Sequence, residues 1–166
     1  MPIITIRFAT PLDCPLLTQL IRDLAVYEKL AHECKTTPEA LHAALFSARP
    51  AAEALIGEVD GVPQGFALFF TNFSTFVCKP GLYLEDLFVR PQARSVGLGK
   101  ALLSHLGKIA VERNYGRVEW VVLDWNTPAI DFYKNLGAKP LDDWTIFRVS
   151  GDGIQTLADA CPVTKT

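Results

Sequence analysis

Three short stretches of this 166-residue sequence carry residue types that can do chemistry. The first is Arg94-Ser95-Val96-Gly97-Leu98-Gly99, followed by Lys100 and a run of apolar residues at helical spacing. Backbone N–H groups at a helix start lack intrahelical acceptors, and the aligned peptide dipoles favour an anion there. Two glycines let the chain turn and let a phosphate approach without a Cβ in the way. Arg94 can add a charge-assisted hydrogen bond. Neither common nucleotide loop fits. A Walker loop needs glycine at 94 and Ser or Thr at 101, where Arg94 and Ala101 stand, and a dinucleotide fingerprint needs glycine at 102, where Leu102 stands. Taken alone, the hexapeptide is equally compatible with an ordinary strand-to-helix turn.

The second stretch is Leu82-Tyr83-Leu84-Glu85-Asp86-Leu87-Phe88-Val89. Strand neighbours point to opposite faces, so one of the two carboxylates must face a packed interior unless a cleft or bulge intervenes. An unpaired buried carboxylate is costly, so a cleft that receives a cation is one explanation, and a salt-bridged edge acid is the other. The third stretch is Asp124-Trp125-Asn126-Thr127-Pro128-Ala129-Ile130-Asp131-Phe132-Tyr133. It opens a second helix just after a strand, with Asn126 as the expected N-cap, Pro128 in the first turn and Tyr133 about two turns in. By spacing alone, Tyr133 reads as a core aromatic following Ile130.

The surrounding pattern supplies the elements that must hold these residues. Ile4, Ile6 and Phe8 alternate as a strand. Apolar residues from Asp13 to Leu30 recur at helical spacing, and Pro38 to Ala48 predicts a second helix capped by Thr37. Ala54–Val59 and Gln64–Asn72 predict a hairpin about Asp60-Gly61. Pro80-Gly81 introduces the apolar strand 82–89, and a helix is predicted over Gly97–Arg113. Arg117–Leu123 predicts a strand, Asn126–Leu136 a short helix ended by Gly137, and Trp144–Val149 a last strand. The tail from Ser150 is weakly specified. Hairpins followed by β-α-β units predict a mixed sheet in a single α/β domain covering residues 1–166.

At Leu82 to Ala138 the chain resembles the core of the GNAT acetyltransferase superfamily, whose phosphate motif is Q/R-x-x-G-x-G/A. Within it, the chain is similar to the spermidine/spermine (diamine) and thialysine N-acetyltransferases. The resemblance is carried by Tyr83-Leu84-Glu85-Asp86, Phe88-Val89, Arg94 to Gly99, Asp124-Trp125-Asn126 and Asp131-Phe132-Tyr133-Lys134. Outside the core, Leu24-Ala25-Val26-Tyr27-Glu28, Ile6-Arg7 and Ala9-Thr10 also match, so it spans roughly residues 3 to 149. It implies a three-layer α/β fold with a twisted mixed sheet splayed open between strands 82–89 and 117–123, with acetyl-CoA in the split.

By the same resemblance, amides of Leu87 and Val89, flanking Phe88, hold the pantetheine arm as a further strand would. Arg94, Ser95, Val96, Gly97, Leu98, Gly99 and Lys100 hold the pyrophosphate, and Asn126 and Ala129 help seat the coenzyme. Tyr133 lies beside the thioester sulfur, and Tyr27, Glu28, Glu85 and Asp86 line the amine side. Ser95 stands where the family usually has glycine. Acetyl transfer needs a neutral amine, a stabilised oxyanion and a proton for the departing thiolate. A free alkylamine has a pKa of ~10.4 and is charged at neutral pH. Glu85 is the expected proton acceptor, directly or through water, and Tyr133 the expected proton donor to the thiolate. An amide near Leu87 is the expected oxyanion partner.

Composition limits the alternatives. Hydrophobic residues make up 49% and charged residues 20%, which excludes a disordered chain. Sixteen basic and eighteen acidic residues give a net charge of −2, with no basic excess to meet a phosphate backbone. No apolar run approaches the ~20 residues of a membrane span. Neither nucleic acid nor membrane is therefore an expected partner, and a cytoplasmic location is expected. Cys14, Cys34, Cys78 and Cys161 lack metal or redox spacing, and no metal is expected. Cys34 near His32 and His42 has no oxyanion-hole signature to accompany it. The expected partners are a small amine and, by the resemblance, a second copy packed through the C-terminal strand and nearby loops.

Overall fold

The computed structural model describes residues 1–162. The described residues divide into two compact units, one of Met1–Val121 and one that begins at Val122.

The first unit holds a five-stranded sheet in the order β1 (Ile4–Phe8), β2 (Glu53–Val59), β3 (Val62–Ser74), β4 (Lys79–Val89) and β5 (Val118–Trp120). β1 to β4 pair antiparallel, and β4 pairs β5 in parallel. The predicted hairpin turn lies between β2 and β3, where Asp60 (φ 50°) and Gly61 (φ 76°) both take the left-handed conformation that a tight two-residue turn requires. Helices α1 (Cys14–Tyr27) and α2 (Pro38–Phe46) bury Leu17, Leu20, Leu24, Leu41 and Leu45 against Ile56, Phe66 and Phe88 on one face of the sheet. Helix α3 (Leu98–Glu112) buries Leu98, Leu102, Leu106 and Ile109 against Leu55, Phe69, Leu82 and Leu84 on the other. Thr37 caps α2 as expected, accepting the Ala40 amide at 3.2 Å.

An ion-paired corner fixes the start of α1. Arg7 reaches Asp13 at 2.8 Å and Glu58 at 2.9 Å, and the Asp13 carboxylate also accepts from Thr10. The guanidinium and the Thr10 donors hold the Asp13 carboxyl well below the usual carboxylate range.

β4 is where sequence expectation and structure part most usefully. Leu84 pairs with Phe69 but Asp86 pairs with Leu68, so Glu85 is an extra residue on β4. The side-chain faces therefore exchange along the strand. Leu82 and Leu84 pack on the α3 side, whereas Phe88 packs on the α1/α2 side. β4 also starts earlier than predicted, because Lys79, Pro80 and Gly81 pair with Ser74, Phe73 and Asn72. β5 is shorter than the predicted 117–123. Its parallel ladder runs from Leu82↔Val118 to Leu84↔Trp120 and stops where the bulge turns β4.

The second unit holds α4 (Thr127–Asn135) and α5 (Asp152–Asp159). The predicted strand Trp144–Val149 does not form, and the segment is irregular. Its alternating pattern supplies strand propensity, but a strand also needs an edge to receive its N–H and C=O groups. Trp144, Ile146, Phe147 and Val149 are exposed, so no face is buried to fix a register.

Candidate functional site

The end of β4, the connection to α3 and the end of α1 bring most of the expected site residues of the first unit together. Beyond the bulge the β4 backbone directs alternate amides to opposite sides. The Arg90 amide donates to the Gln64 carbonyl on β3 at 2.9 Å, which puts the Phe88 amide on the β3 side as well. The amides of Leu87 and Val89 are then directed away from β3, to the side on which β5 pairing ends at Leu84. That leaves a strand edge with donors and acceptors and no strand beside it among the described residues.

After β4 the chain makes a short turn at Pro91–Ala93 and reaches the glycine loop. Arg94, Ser95 and Val96 are exposed. Ser95 (φ 68°) and Gly97 (φ 96°) both adopt the left-handed conformation, which glycine tolerates and serine does not favour. Gly97 occupies the N-cap of α3, so the amides of Leu98, Gly99 and Lys100 form its first turn and have no intrahelical acceptors. The Leu98 side chain is buried in the α3-side core. Only its backbone is available to a ligand, and burial of that side chain anchors the loop.

Arg94 is held on two sides. Its Nε donates to the Val89 carbonyl at 3.1 Å, and its guanidinium carbon lies 4.7 Å from the Tyr27 ring centroid and 6.0 Å from that of Phe88. A neighbouring ion pair, Arg90 to Asp23 at 3.2 Å, ties α1 to the end of β4. Between these elements is a cavity of about 410 Å³ lined by Asp23, Tyr27, Phe88, Arg90, Gln92 and Arg94, among others. The Tyr27–Arg94 stack and the Asp23–Arg90 pair were not predicted. Both join residues 67 positions apart in the chain, and no local spacing signals such a pairing.

Three carboxyls collect beside this junction. Glu28 follows α1 and is half-buried, Glu85 is the exposed bulge residue, and Asp86 is half-buried on the α1/α2 side. Loss of hydration pushes the Asp86 carboxyl up to about 6, with the charges of Glu85 and Glu28 adding to the effect. Partial burial also raises Glu28. A cation placed among these groups would relieve both the like-charge repulsion and the desolvation. The sequence dilemma over two adjacent carboxylates is thus answered by a bulge, and Asp86 is the one that turns inward.

In the second unit, Asn126 stands at the N-cap of α4 and is buried. Its carbonyl accepts the Ala129 and Ile130 amides at 3.0 Å, but its side chain makes no capping bond, contrary to expectation. With ψ of 59° the residue lacks the extended backbone that directs a capping side chain onto the first turn. Ala129 and Tyr133 are half-buried on α4, and the Tyr133 ring lies 5.4 Å from that of Phe132.

Comparison with known proteins gives the family. Residues 19–138 match the Acetyltransferase (GNAT) family. The chain is 36% identical to a thialysine N-epsilon-acetyltransferase of Bos taurus, covering 95% of this chain and 99% of that one. It is 34% identical to an L-ornithine N5-acetyltransferase of Arabidopsis thaliana, covering 92% and 86%. Among solved structures, an integron cassette protein from the mobile metagenome of V. cholerae superposes with a TM-score of 0.79 at 26% identity, covering 95% of this chain and 98% of that one. The family and its thialysine branch were both expected from the sequence. The chain belongs to the GNAT acetyltransferase family, and it is an N-acetyltransferase.

Proposed function

We propose that the protein transfers the acetyl group of acetyl-CoA to a primary amine of a small diamine, polyamine or thialysine-like substrate by direct attack. The observation that carries this reading is the bulge at Glu85, which both ends the β5 ladder and gathers Glu28, Glu85 and Asp86. Acetyl-CoA supplies an activated acetyl group as a thioester. The outward amides of Leu87 and Val89 and the Leu87 carbonyl suit an extended amide-containing arm, the Val89 carbonyl already accepting from Arg94. The Gly97 turn and the first-turn amides of α3 suit a diphosphate, with Arg94 adding positive charge. A Cβ built on Gly97 would meet Ile4 Cδ1 at an ordinary 3.8 Å, so glycine is called for there by the φ of 96°, and the missing Cβ lets a diphosphate come close.

On the amine side, Glu28, Glu85 and Asp86 attract a cation and bind a second ammonium. Tyr27 belongs to the same wall. The acids favour substrates that carry more than one amine, and thialysine and ornithine, named by the two relatives, are both diamino acids. In the reaction the N–C bond forms as the C–S bond breaks. The ammonium proton goes to Glu85, directly or through water, the Tyr133 hydroxyl gives its proton to the departing thiolate, and the second proton that the acylated nitrogen sheds restores the tyrosine. Asn126 and Ala129 belong to the coenzyme side.

The family match runs across the boundary between the two compact units, which supports a single domain. No helix among the described residues is long and apolar enough to cross a membrane. A cytoplasmic location and a homodimer joined through the exposed C-terminal segment complete the reading. Thiol release from acetyl-CoA across a panel of diamines, polyamines, diamino acids, monoamines and peptide lysines tests it. Turnover concentrated on substrates with two or more amines is expected, and equal efficiency on monoamines would overturn the assignment.

A further inference from the structure

Adjacent residues at the end of α1 engage two different parts of the site. Tyr27 stacks on Arg94 of the glycine loop, whereas Glu28 contributes to the field on Asp86. The two arginines nearby are treated differently. Arg90 is matched by Asp23, while among the described residues no carboxylate lies within salt-bridge distance of Arg94. An aromatic face orients a guanidinium without neutralising it, and it leaves the in-plane N–H groups able to take an oxyanion. A carboxylate partner would orient the same group but cancel its charge. Tyr27 is well placed to serve as the fixed half of such a stack. Leu24 and Ala25 just before it are buried, and Asp23 is tied to the end of β4. Arg94 is an exposed side chain on an irregular connection, and ordering it ahead of a ligand spares rotamer freedom that would otherwise be lost on binding.

Resting on the function proposed above, the geometry points to Tyr27 as a positioning residue for the coenzyme, presetting Arg94 for a diphosphate while leaving its charge uncancelled. This role lies on the coenzyme side, in addition to the amine side. Because Glu28 is the next residue, the same stack fixes the end of α1 from which Glu28 reaches the amine.

The test is a double-mutant cycle on CoA binding, read by calorimetry with the full chain and CoA as the probe. Tyr27→Phe keeps the ring and is expected to bind CoA as the parent does. Tyr27→Leu is expected to weaken CoA ~2- to 5-fold, the size of a surface cation–π contact. In an Arg94→Gln background the same substitution is expected to cost nothing further. Near-ultraviolet circular dichroism establishes that each variant is folded, and Tyr27→Met replaces Tyr27→Leu if the latter is not. Unchanged CoA affinity in the folded ring-less variant, additive losses in the cycle, or a Tyr27→Phe loss equal to that of Tyr27→Leu would overturn the proposal. Failure of the parent chain to bind CoA would overturn the function reading with it. Parent binding with an indifferent Tyr27 would overturn this inference alone.

Discussion

Leu84 and Asp86 are two residues apart on one strand yet face opposite sides of the sheet. Leu84 pairs with Phe69 and packs beneath α3, while Asp86 pairs with Leu68, which packs on the α1/α2 side. In a regular strand residues two apart share a face. The unpaired Glu85 between them reverses that relation and delivers a carboxylate to the side where α1 ends.

The raised Asp86 carboxyl makes stability depend on pH in a defined direction. Its ordinary value is 3.8 and its value in the fold is about 6. Between these values the folded state binds more protons than the unfolded one, so stability falls as pH rises from about 4 to about 6. The two-unit difference sets a ceiling of about 3 kcal/mol. Asp86→Asn is expected to remove this slope and to be more stable than the parent above pH 6. Urea unfolding of both chains from pH 4 to pH 8 checks it, and a slope that survives in Asp86→Asn would show that another group carries it.

Ser95 occupies a conformation that an L-residue adopts at a cost of about 1–2 kcal/mol, with φ at 68°. Glycine relieves that cost but adds freedom to the unfolded chain, so the net gain for Ser95→Gly is about 0.5–1 kcal/mol. The loop keeps its amide, and CoA affinity is expected to stay within twofold, roughly. A higher urea midpoint with an unchanged slope checks the first part, and calorimetry the second.

How far the site was legible follows from how local each signal is. The Gly97 turn and the buried face of α3 were readable because Leu98, Leu102 and Leu106 recur at helical spacing directly after the glycine. The conflict between Glu85 and Asp86 was also readable, since it needs only the alternation of a strand. Its resolution was not, because the bulge exists only in the register of β4 against Leu68 and Phe69. Arg94 was singled out for its charge, but the Tyr27 ring that holds it comes from a distant helix. Trp144 to Val149 misled in the opposite sense. Propensity there is strong and local, whereas the ladder that would realise it is not present among the described residues.

Glu28 lies near Asp86 and is in none of the ion pairs among the described residues, so on the proposed function its charge faces the amine. Glu28→Gln is expected to raise KM for a doubly charged amine about 2- to 5-fold, the range of a partly exposed ion pair. kcat is expected to change less, and the dependence of kcat/KM on salt to flatten. The pH at which Asp86 titrates is expected to fall, because one of the charges that raises it is gone. A KM with the same salt response in parent and variant would remove Glu28 from the amine side.

Tyr133 is expected to act on the departing thiolate and not on binding. It sits in α4 with its ring against Phe132, so Tyr133→Phe preserves the aromatic packing and deletes only the hydroxyl. Fold and CoA affinity should survive. Loss of a general acid costs ~10²–10⁴-fold in rate, and here the loss should appear in kcat more than in KM. The deficit should shrink for thioesters whose leaving thiols are more acidic, because a weakly basic thiolate departs without protonation. Single-turnover measurements isolate the step from product release. Parent-like rates for Tyr133→Phe under those conditions would assign the ring to packing alone, whereas a deficit that narrows with leaving-group acidity fixes the hydroxyl as the proton donor to sulfur.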